Sequence, residues 1–473
     1  MAGHFWKNGE ITRKIGLMSN MRNLYFKQIN IDNFFPRCYD LSEKHDYEDF
    51  IEDFKTNKAI SILKRIFANK NSKSITNEMI KTAIKIAQRK IGIILGNYNK
   101  DNFPKVSLVS QKEWQIISEE NQDEFNHYMD KLKKRKQFAF AFTETNDLPA
   151  IITKDKQRAK SVAQTKRIKQ KVISTVDNNI KVINNQENEK EQEEQKKLLP
   201  IIKNILDKLR NHSKNEYQMN GASNIWIVKP SGLSRGRGIS CVSTLSEVIK
   251  QIISSPECII QKYIENPLII KNRKFDIRQW VLVTSLSPLT IWLFDTPYLR
   301  FSAEDYNMND IHNRYSHLTN NSVNKHCVHF KNDVIPGNMW EIETFNQYFK
   351  DQFGNEVDHW KEIQNKIKKI VIYSLMSAKH KICDRKNSHE IFGYDIMVDE
   401  ALNCYLIEVN SSPAWDYSTE ITKKLVKEVS EDLVKVVVDY ANASKEDKQS
   451  IDTGKFKLIF KGNDLKEIEL PNK

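Results

Sequence analysis

A loop rich in glycine and basic residues has a composition that could bind an anionic ligand. Residues 225–240 read IWIVKPSGLSRGRGIS, a β-type stretch that runs into the loop. Glycines would let backbone N–H groups approach phosphate oxygens, and Lys229, Arg235 and Arg237 would supply positive charge. Neither GxxxxGK[ST] nor GxGxxG occurs here, so the segment is not a P-loop or a dinucleotide fingerprint. It predicts a phosphate site of another kind, with an ordinary basic hairpin loop as the alternative.

Charged and apolar residues alternate in a second β-type run, residues 274–280, which reads KFDIRQW. Because successive side chains of a strand point to opposite faces, Lys274, Asp276 and Arg278 would share one face, with Phe275 and Ile277 on the other. A solvated sheet face would explain the same pattern. The apolar residues that follow directly favour a strand that enters the core, and in that case the charges line a polar cleft.

A third constellation lies in residues 392–413, FGYDIMVDEALNCYLIEVNSSP, which predict two strands joined by a polar turn. Asp395 lies on the first strand, and Glu408 and Asn410 share a face near the end of the second. Their hard oxygen ligands suit Mg²⁺, which usually keeps waters and substrate phosphates as its other partners. A polar hairpin end is the alternative. With the two preceding segments, this set has the parts needed to hold Mg-ATP during phosphoryl transfer.

The sequence lacks the signature motifs of several other classes of enzyme. There is no HRD catalytic loop and no DFG, which disfavours a protein kinase, and no GxSxG nucleophile elbow. The six cysteines form no CxxC pair, so we expect reduced, mostly buried thiols. No apolar run approaches the ~20 residues that a bilayer crossing needs, and the first residues lack the apolar core of a secretory signal. The sequence therefore predicts a cytosolic protein without a membrane partner.

Periodicity predicts which elements position these residues, and it indicates the α+β class. The predicted strands are Ile225–Val228, Ile239–Val242, Cys258–Ile264, Phe275–Thr284, Leu289–Phe294, Ile391–Val398 and Cys404–Val409. The predicted helices are Asn77–Leu95, a short helix that begins at the capping-box pair Thr244 and Glu247, Trp360–His380 and Thr419–Tyr440. The formal charge of +13 over 473 residues predicts attraction to a polyanion, which could be nucleic acid, anionic lipid or an acidic protein surface. Compositional bias alone would also produce this charge.

Four further blocks carry a resemblance to a known family. They are FFPRCYDL at 34–41, QKYIENPLII at 261–270, PLTIWLFDTPYLRFS at 288–302 and HLTNNSVNKH at 317–326. With the three constellations, they resemble the tubulin tyrosine ligase-like family and, within it, the tubulin glycylases. The resemblance runs from about Gly16 to the end, apart from a charged insert.

This resemblance implies an ATP-grasp-like ligase whose N-terminal, central and C-terminal lobes surround an ATP cleft. The implied segments are an N-terminal lobe at 1–149, a charged low-complexity insert at 150–198, a central lobe at 199–271, a C-terminal lobe with the metal site at 272–445 and an extension at 446–473. The N-terminal lobe begins late by the family pattern, which predicts that this lobe is incomplete.

The resemblance also implies roles for individual residues. The implied nucleotide-binding residues are Lys229, Arg235, Gly236, Arg237, Gly238, Ile239, Gln261, Lys262, Tyr263, Ile264, Lys274, Asp276, Thr319 and Asn320. The implied catalytic residues are Lys274, Asp276, Arg278 and Arg300, and the implied magnesium ligands are Asp395, Glu408 and Asn410. The implied substrate contacts are Ser231, Arg235 and Ser322.

The implied reaction uses ATP and two Mg²⁺ ions to join glycine to glutamate side chains of the acidic tubulin tail through an acyl phosphate. The product is mono- or polyglycylated tubulin, and the expected protein is a monomer that binds microtubules and free glycine but no nucleic acid. Family analogy places it in the cytoplasm, on the cytoskeleton, and at the axoneme and basal body of cilia. A glutamylase or tyrosine ligase on the same scaffold is the near alternative. A non-enzymatic basic protein that binds microtubules or nucleic acid is the distant one.

Overall fold

A computed structural model describes most of the chain. The described residues are 3–69, 74–96, 107–135, 173–234, 236–328, 334–354, 356–385, 388–413, 415 and 417–465, with side chains from 192 onward in the helix that begins at 173. These residues form two compact units. The first unit comprises Met1–Tyr47, Gln218–Asn220 and Ile225–Lys473, and the second comprises Glu48–Tyr217 and Gly221–Asn224.

The elements are numbered here in chain order within the described residues. The helices are α1 (Gly9–Thr12), α2 (Lys14–Arg22), α3 (Lys44–Phe67), α4 (Asn77–Ile94), α5 (Gln111–Ile117), α6 (Gln122–Lys133), α7 (Ile173–His212), α8 (Lys214–Met219), α9 (Leu245–Ser254), α10 (Arg314–His317), α11 (Asn321–Asn324), α12 (Ile342–Phe353), α13 (His359–Ala378) and α14 (Glu420–Val434). The strands are β1 (Cys38–Asp40), β2 (Trp226–Pro230), β3 (Ser240–Val242), β4 (Cys258–Lys262), β5 (Ile269–Ile270), β6 (Arg273–Leu286), β7 (Leu289–Phe294), β8 (Tyr298–Phe301), β9 (Met339–Glu341), β10 (Glu390–Val398), β11 (Cys404–Asn410) and β12 (Phe456–Gly462).

The second unit is helical where it is described. Helix α4 begins at Thr76, whose side chain accepts a hydrogen bond from the Met79 backbone N–H at 3.2 Å, and its apolar stripe is buried as the sequence predicts. Phe54 packs against Phe50 and Trp114, with ring centroids 5.7 and 6.1 Å apart. Helix α7 contains the second half of the predicted insert, whereas residues 151–172 lie outside the described residues.

A small antiparallel sheet in the first unit has the order β1-β4-β2-β3. Strand β3 is followed by α9, which begins with the predicted capping box. The Thr244 hydroxyl accepts from the Glu247 backbone N–H, and the Glu247 carboxylate accepts from the Thr244 backbone N–H. The strands and helix predicted for residues 225–264 are therefore confirmed, with ends shifted by one or two residues.

The larger sheet of the first unit has the order β11-β10-β6-β7-β12, with β5 and β8 also paired to β6 and β9 paired to β8. Strand β6 has two different faces. Phe275 and Ile277 pack into the main apolar core with helices α2, α12 and α13. The opposite face carries the charges of residues 274, 276 and 278 and then turns apolar at Trp280 and Leu282, which pack with α14. This alternation confirms the predicted division of the strand and excludes the solvated sheet face, because all three charged side chains are buried.

The remaining predictions about the fold have mixed outcomes. The mixture of helix and sheet is confirmed, and the six cysteines are free thiols, five of them buried. Within the described segments, no helix is long and apolar enough to cross a bilayer. The three-lobe division stays a prediction.

Candidate active site

A cleft that is partly open to solvent lies between the two sheets of the first unit. Most of the predicted nucleotide and metal residues line it. These are Lys229, Ile239, Gln261, Lys262, Tyr263, Ile264, Lys274, Asp276, Thr319, Asn320, Asp395 and Glu408. Aliphatic side chains make up part of its wall. The cleft thus combines an apolar region with converging charges.

Charged side chains lie opposite one another on neighbouring strands at one end of this cleft. Asp395 on β10 lies opposite Arg278 on β6 and opposite Glu408 on β11, and Asp276 on β6 lies opposite Arg300 on β8. Register therefore places three charged side chains in one row and two in the next. The pairs Asp395–Arg278 and Asp276–Arg300 bring opposite charges together, which stabilises the sheet. Asp395 and Glu408 are both acidic, so their pairing opposes this effect.

The two arginines hold the two aspartates through short, buried ion pairs. Arg278 Nε lies 2.6 Å from Asp395 Oδ1, and Arg300 binds both Asp276 oxygens at 2.8 and 2.7 Å. Arg300 also reaches Asp395 Oδ2 at 2.8 Å, and Thr319 Oγ1 donates to Asp276 Oδ2 at 2.6 Å. Burial alone would raise the pKa of Asp395, but both guanidinium groups hold it well below its usual range. This network keeps Asp395 charged inside the protein.

The predicted metal ligands lie together beside this network. Burial and the neighbouring Asp395 raise the pKa of Glu408, against the opposing effect of Lys229. Asn410 Nδ2 lies 3.4 Å from Glu408 Oε1 and 3.5 Å from Asp395 Oδ2, so its amide nitrogen faces the carboxylates. The amide would have to turn to offer its oxygen to a cation. Among the described residues, no group of three His, Cys, Asp or Glu side chains could hold a metal by itself.

Two lysines bring positive charge to the same end of the cleft. Lys229 Nζ donates to Gln261 Oε1 at 2.6 Å, and burial lowers its pKa although Glu408 opposes the shift. Lys14, at the start of α2, donates to the Leu233 carbonyl at 2.6 Å. Burial lowers its pKa too, again opposed by Glu408, so Lys14 is close enough to feel that carboxylate. An anion between these lysines would stabilise their charged forms.

A third lysine lies in a hydrogen-bonded chain on the wall of the cleft. Lys274 Nζ is 2.9 Å from Tyr263 Oη and 3.0 Å from the His317 carbonyl, and Tyr263 Oη is 2.8 Å from His317 Nδ1. Burial lowers the pKa of Lys274 to about 8, although Cys241 and Asp276 oppose the shift. Burial and Lys274 lower the pKa of His317 to about 4.

The glycine-rich loop borders the cleft and adopts backbone conformations that favour glycine. Gly236 and Gly238 have φ of +71° and +68°, in the left-handed region. A Cβ on Gly236 would lie 2.8 Å from Val323, and one on Gly238 would lie 2.8 Å from Pro230. Arg314 also donates to the Gly236 carbonyl at 3.0 Å. The loop is thus held against its surroundings by close contacts that only glycine permits.

Some predicted residues lie apart from the cleft. Arg237 and Ser322 line a neighbouring groove with Ser234, Arg314, Tyr315, Val323, Lys325 and His326. The Ser231 hydroxyl is buried without a hydrogen-bond partner among the described residues, and Arg235 lies outside them. The Lys262 ammonium is held by Glu265 at 2.8 Å and by backbone carbonyls, so it stabilises the wall of the cleft.

Sequence reasoning missed several residues of the cleft. Lys14 carries no motif, and it is 219 residues from the carbonyl that it contacts. His317 stands in the quoted block HLTNNSVNKH, but its hydrogen bonds were not predicted. The aliphatic part of the wall includes Ile227, Leu318, Met397 and Ile407. Ile227, Met397 and Ile407 lie on strands, whose apolar pattern does not distinguish a ligand-facing residue from a core residue, and Leu318 follows helix α10.

Comparison with known proteins identifies the family of this chain. The pattern of the Tubulin-tyrosine ligase family matches residues 154–446. The chain is 37% identical to Tubulin glycylase 3D of Tetrahymena thermophila over 99% of this chain and 46% of that protein. It is 30% identical to Tubulin monoglycylase TTLL3 of Mus musculus (98% of this chain, 46% of the relative) and to Protein monoglycylase TTLL8 of Homo sapiens (98% and 51%). The chain thus spans about half the length of these relatives. Since the family pattern covers more than half of the chain, this protein belongs to the tubulin-tyrosine ligase family.

Proposed function

We propose that this chain is an ATP- and magnesium-dependent ligase that joins glycine to glutamate side chains in the C-terminal tail of tubulin. The observation that carries the proposal is a buried network in which Arg278 and Arg300 hold two aspartates. These aspartates, Asp276 and Asp395, line one cleft together with Glu408. Family membership and the glycylase names of the relatives support the choice of reaction and of amino acid.

ATP would enter the cleft with its base in the apolar part. The aliphatic walls and the backbone of residues 261–264 suit a flat, weakly polar adenine. The triphosphate would extend toward Lys229, Lys274 and Lys14, whose lowered pKa values mark charges that need an anion. Three lobes around this cleft, as in ATP-grasp ligases, are part of the proposal.

Magnesium fits the residues at the end of the cleft. Asp395 and Glu408 are hard oxygen ligands. Burial, together with the neighbouring Asp395, raises the pKa of Glu408, and a bound cation would oppose that shift. With Asn410 they supply few protein ligands, which suits an ion that keeps phosphate oxygens and water as its remaining partners. One or two bound Mg²⁺ ions would neutralise phosphate charge.

The residues of the cleft then account for activation of a poor electrophile. An oxygen of the acceptor carboxylate attacks the γ-phosphorus and ADP leaves, which gives an acyl phosphate. The amine of glycine attacks the carbonyl carbon, loses a proton, and expels inorganic phosphate to form the amide. Arg278 and Arg300 are fixed by their aspartates, so they would stabilise the charge that builds up without reorganising.

The acceptor side of the proposal rests on charge. The groove that contains Arg237, Arg314 and Lys325 adjoins the glycine-rich loop, and the whole chain carries a formal charge of +13. An acidic peptide would be attracted to such a surface and guided toward the cleft. We therefore assign tubulin tails as the partner and Ser322 as an acceptor contact. We also propose that the protein acts as a monomer on cytoplasmic and ciliary microtubules.

Mass spectrometry of tubulin tails tests the proposal. Purified chain is incubated with tubulin, Mg-ATP and either glycine, glutamate or tyrosine, and Asp395→Asn serves as the matched inactive control. The proposal predicts additions of glycine residues on tail glutamates by the wild type alone. Additions of glutamate or tyrosine instead would identify a sister ligase on this scaffold. Microtubule binding that Glu408→Ala leaves intact, without any addition by the wild type, would indicate a non-enzymatic protein.

A further inference from the structure

A chain of three buried side chains ends at one of the proposed phosphate ligands. Lys274 Nζ lies 2.9 Å from Tyr263 Oη, which lies 2.8 Å from His317 Nδ1. The other nitrogen of the ring, Nε2, lies 3.1 Å from the Asn307 carbonyl and 3.0 Å from the Asp310 carbonyl. All three side chains line the cleft, yet each is almost fully buried.

The donors and acceptors in this chain fix its direction. Carbonyl oxygens can only accept, so His317 Nε2 must carry a hydrogen that it shares with the carbonyls of Asn307 and Asp310. A neutral imidazole protonated at Nε2 offers a lone pair at Nδ1, which then accepts the Tyr263 hydroxyl proton. The Tyr263 oxygen is left to accept a hydrogen bond from Lys274. Burial and the nearby ammonium keep the pKa of His317 at about 4, in agreement with a neutral ring.

The same histidine holds Lys274 in a second way. Its backbone carbonyl accepts from Lys274 Nζ at 3.0 Å, and the Tyr263 ring centroid lies 4.2 Å from that ammonium. An ammonium has three N–H donors, and the Tyr263 hydroxyl oxygen and the His317 carbonyl use two of those of Lys274. The third donor is left for an anion inside the cleft. A lysine on a flexible stem is thus restricted to one orientation before any ligand binds, which reduces the entropy lost on binding.

We infer that His317 is a positioning residue for the nucleotide: by fixing the Tyr263 hydroxyl, it aims the Lys274 ammonium at the phosphates of ATP. This inference rests on the proposed function, because it needs ATP in the cleft. It goes beyond the proposal by assigning a role to a side chain that need not touch the nucleotide.

A double-mutant cycle with two ligands tests the inference. Calorimetry measures binding of Mg-ATP and of adenosine to the full chain as wild type, His317→Ala, Lys274→Met and the double variant. We expect His317→Ala to weaken ATP binding about tenfold, which corresponds to one ordered hydrogen bond of about 1.4 kcal/mol. Adenosine binding should change by less than about twofold, because the phosphates are absent from that ligand. In the Lys274→Met background, loss of His317 should have no further effect on ATP.

Several outcomes would contradict the inference or the function on which it rests. An equal loss of adenosine and ATP affinity would mean that His317 only shapes the wall, and an undiminished effect in the Lys274→Met background would mean that it acts by another route. Wild-type protein that binds no ATP would remove the proposed function itself, which the wild-type arm reveals separately. Should His317→Ala fail to fold, Tyr263→Phe decides. This variant retains the ring and removes only the hydroxyl, so it should reproduce the tenfold loss of ATP affinity. Its KM for ATP should rise while kcat changes little. Unaltered ATP affinity would contradict the inference.

Discussion

Removing Arg300 should destabilise the first unit more than removing any ordinary surface arginine. The side chain is buried and makes three charge-assisted hydrogen bonds, two to Asp276 and one to Asp395. Arg300→Met would leave Asp276 with only the Thr319 hydroxyl among these partners, and Asp395 with Arg278. Breaking a buried pair by removing one partner costs about 3–5 kcal/mol, since the remaining charge stays buried without compensation. At about 2–4 °C per kcal/mol, Tm should fall by roughly 6–20 °C.

A double-mutant cycle separates this electrostatic effect from lost packing. Urea unfolding, followed by tryptophan fluorescence to which the buried Trp280 contributes, gives the free energy of unfolding for wild type, Arg300→Met, Asp276→Asn and the double variant. The double variant should be about 2 kcal/mol more stable than the sum of the single changes predicts, because its neutral amide no longer needs the guanidinium. Arg273→Met is the matched control. Arg273 is equally buried but binds backbone carbonyls and the exposed Asp305, so no buried carboxylate is left behind. A coupling energy below about 0.5 kcal/mol, or an equal loss in the control, would refute the reasoning.

Further predictions concern the nucleotide. The pKa of Lys274 is about 8 in the free protein and would rise beside phosphate. ATP affinity should therefore be steady below about pH 7.5 and fall as the pH rises through and above that pKa. Lys274→Arg stays charged and should flatten this profile, and an unchanged slope would contradict the assignment of Lys274 to the phosphates. Chelation of Mg²⁺ should abolish turnover but leave the Tm of the nucleotide-free protein unchanged. Glu408→Gln should also abolish turnover, but it should raise or preserve that Tm because it relieves repulsion from Asp395. Gly236→Ala should weaken ATP binding about five- to tenfold, because a Cβ there meets Val323 and φ is positive. Gly232→Ala is the control and should bind ATP as the wild type does, because its Cβ meets nothing within 4 Å. Equal effects of the two changes would show that the loop conformation is unimportant for ATP binding.

Local patterns in the sequence predicted much of this site because they are governed by strand geometry. A period of two places residues 274, 276 and 278 on one face whatever surrounds the strand. The capping box that starts α9 is equally local, since it needs only Thr244 and Glu247 three residues apart. The metal residues could be grouped because a short turn returns β11 along β10, opposite Asp395.

Tertiary pairing could not be predicted in the same way. Nothing in the sequence fixes the register that sets Asp276 opposite Arg300, so the two arginines are predicted as catalytic residues without the aspartates that hold them. Lys14 reaches the cleft only through the packing of α2, and no spacing rule links it to a loop 219 residues away. The division into lobes depends on contacts between distant segments, and it stays a prediction for the same reason.

The most direct test is to measure the transfer of oxygen from the acceptor carboxylate to phosphate. It asks whether ATP in this cleft activates a glutamate carboxylate for attack by glycine. Tubulin tail peptide labelled with ¹⁸O in its glutamate carboxylates is incubated with the chain, Mg-ATP and glycine, and the inorganic phosphate is analysed by mass spectrometry. The account predicts one ¹⁸O atom in each phosphate released with a glycine addition, and none with Asp395→Asn, which should form no product. Glycine addition accompanied by unlabelled phosphate would contradict it.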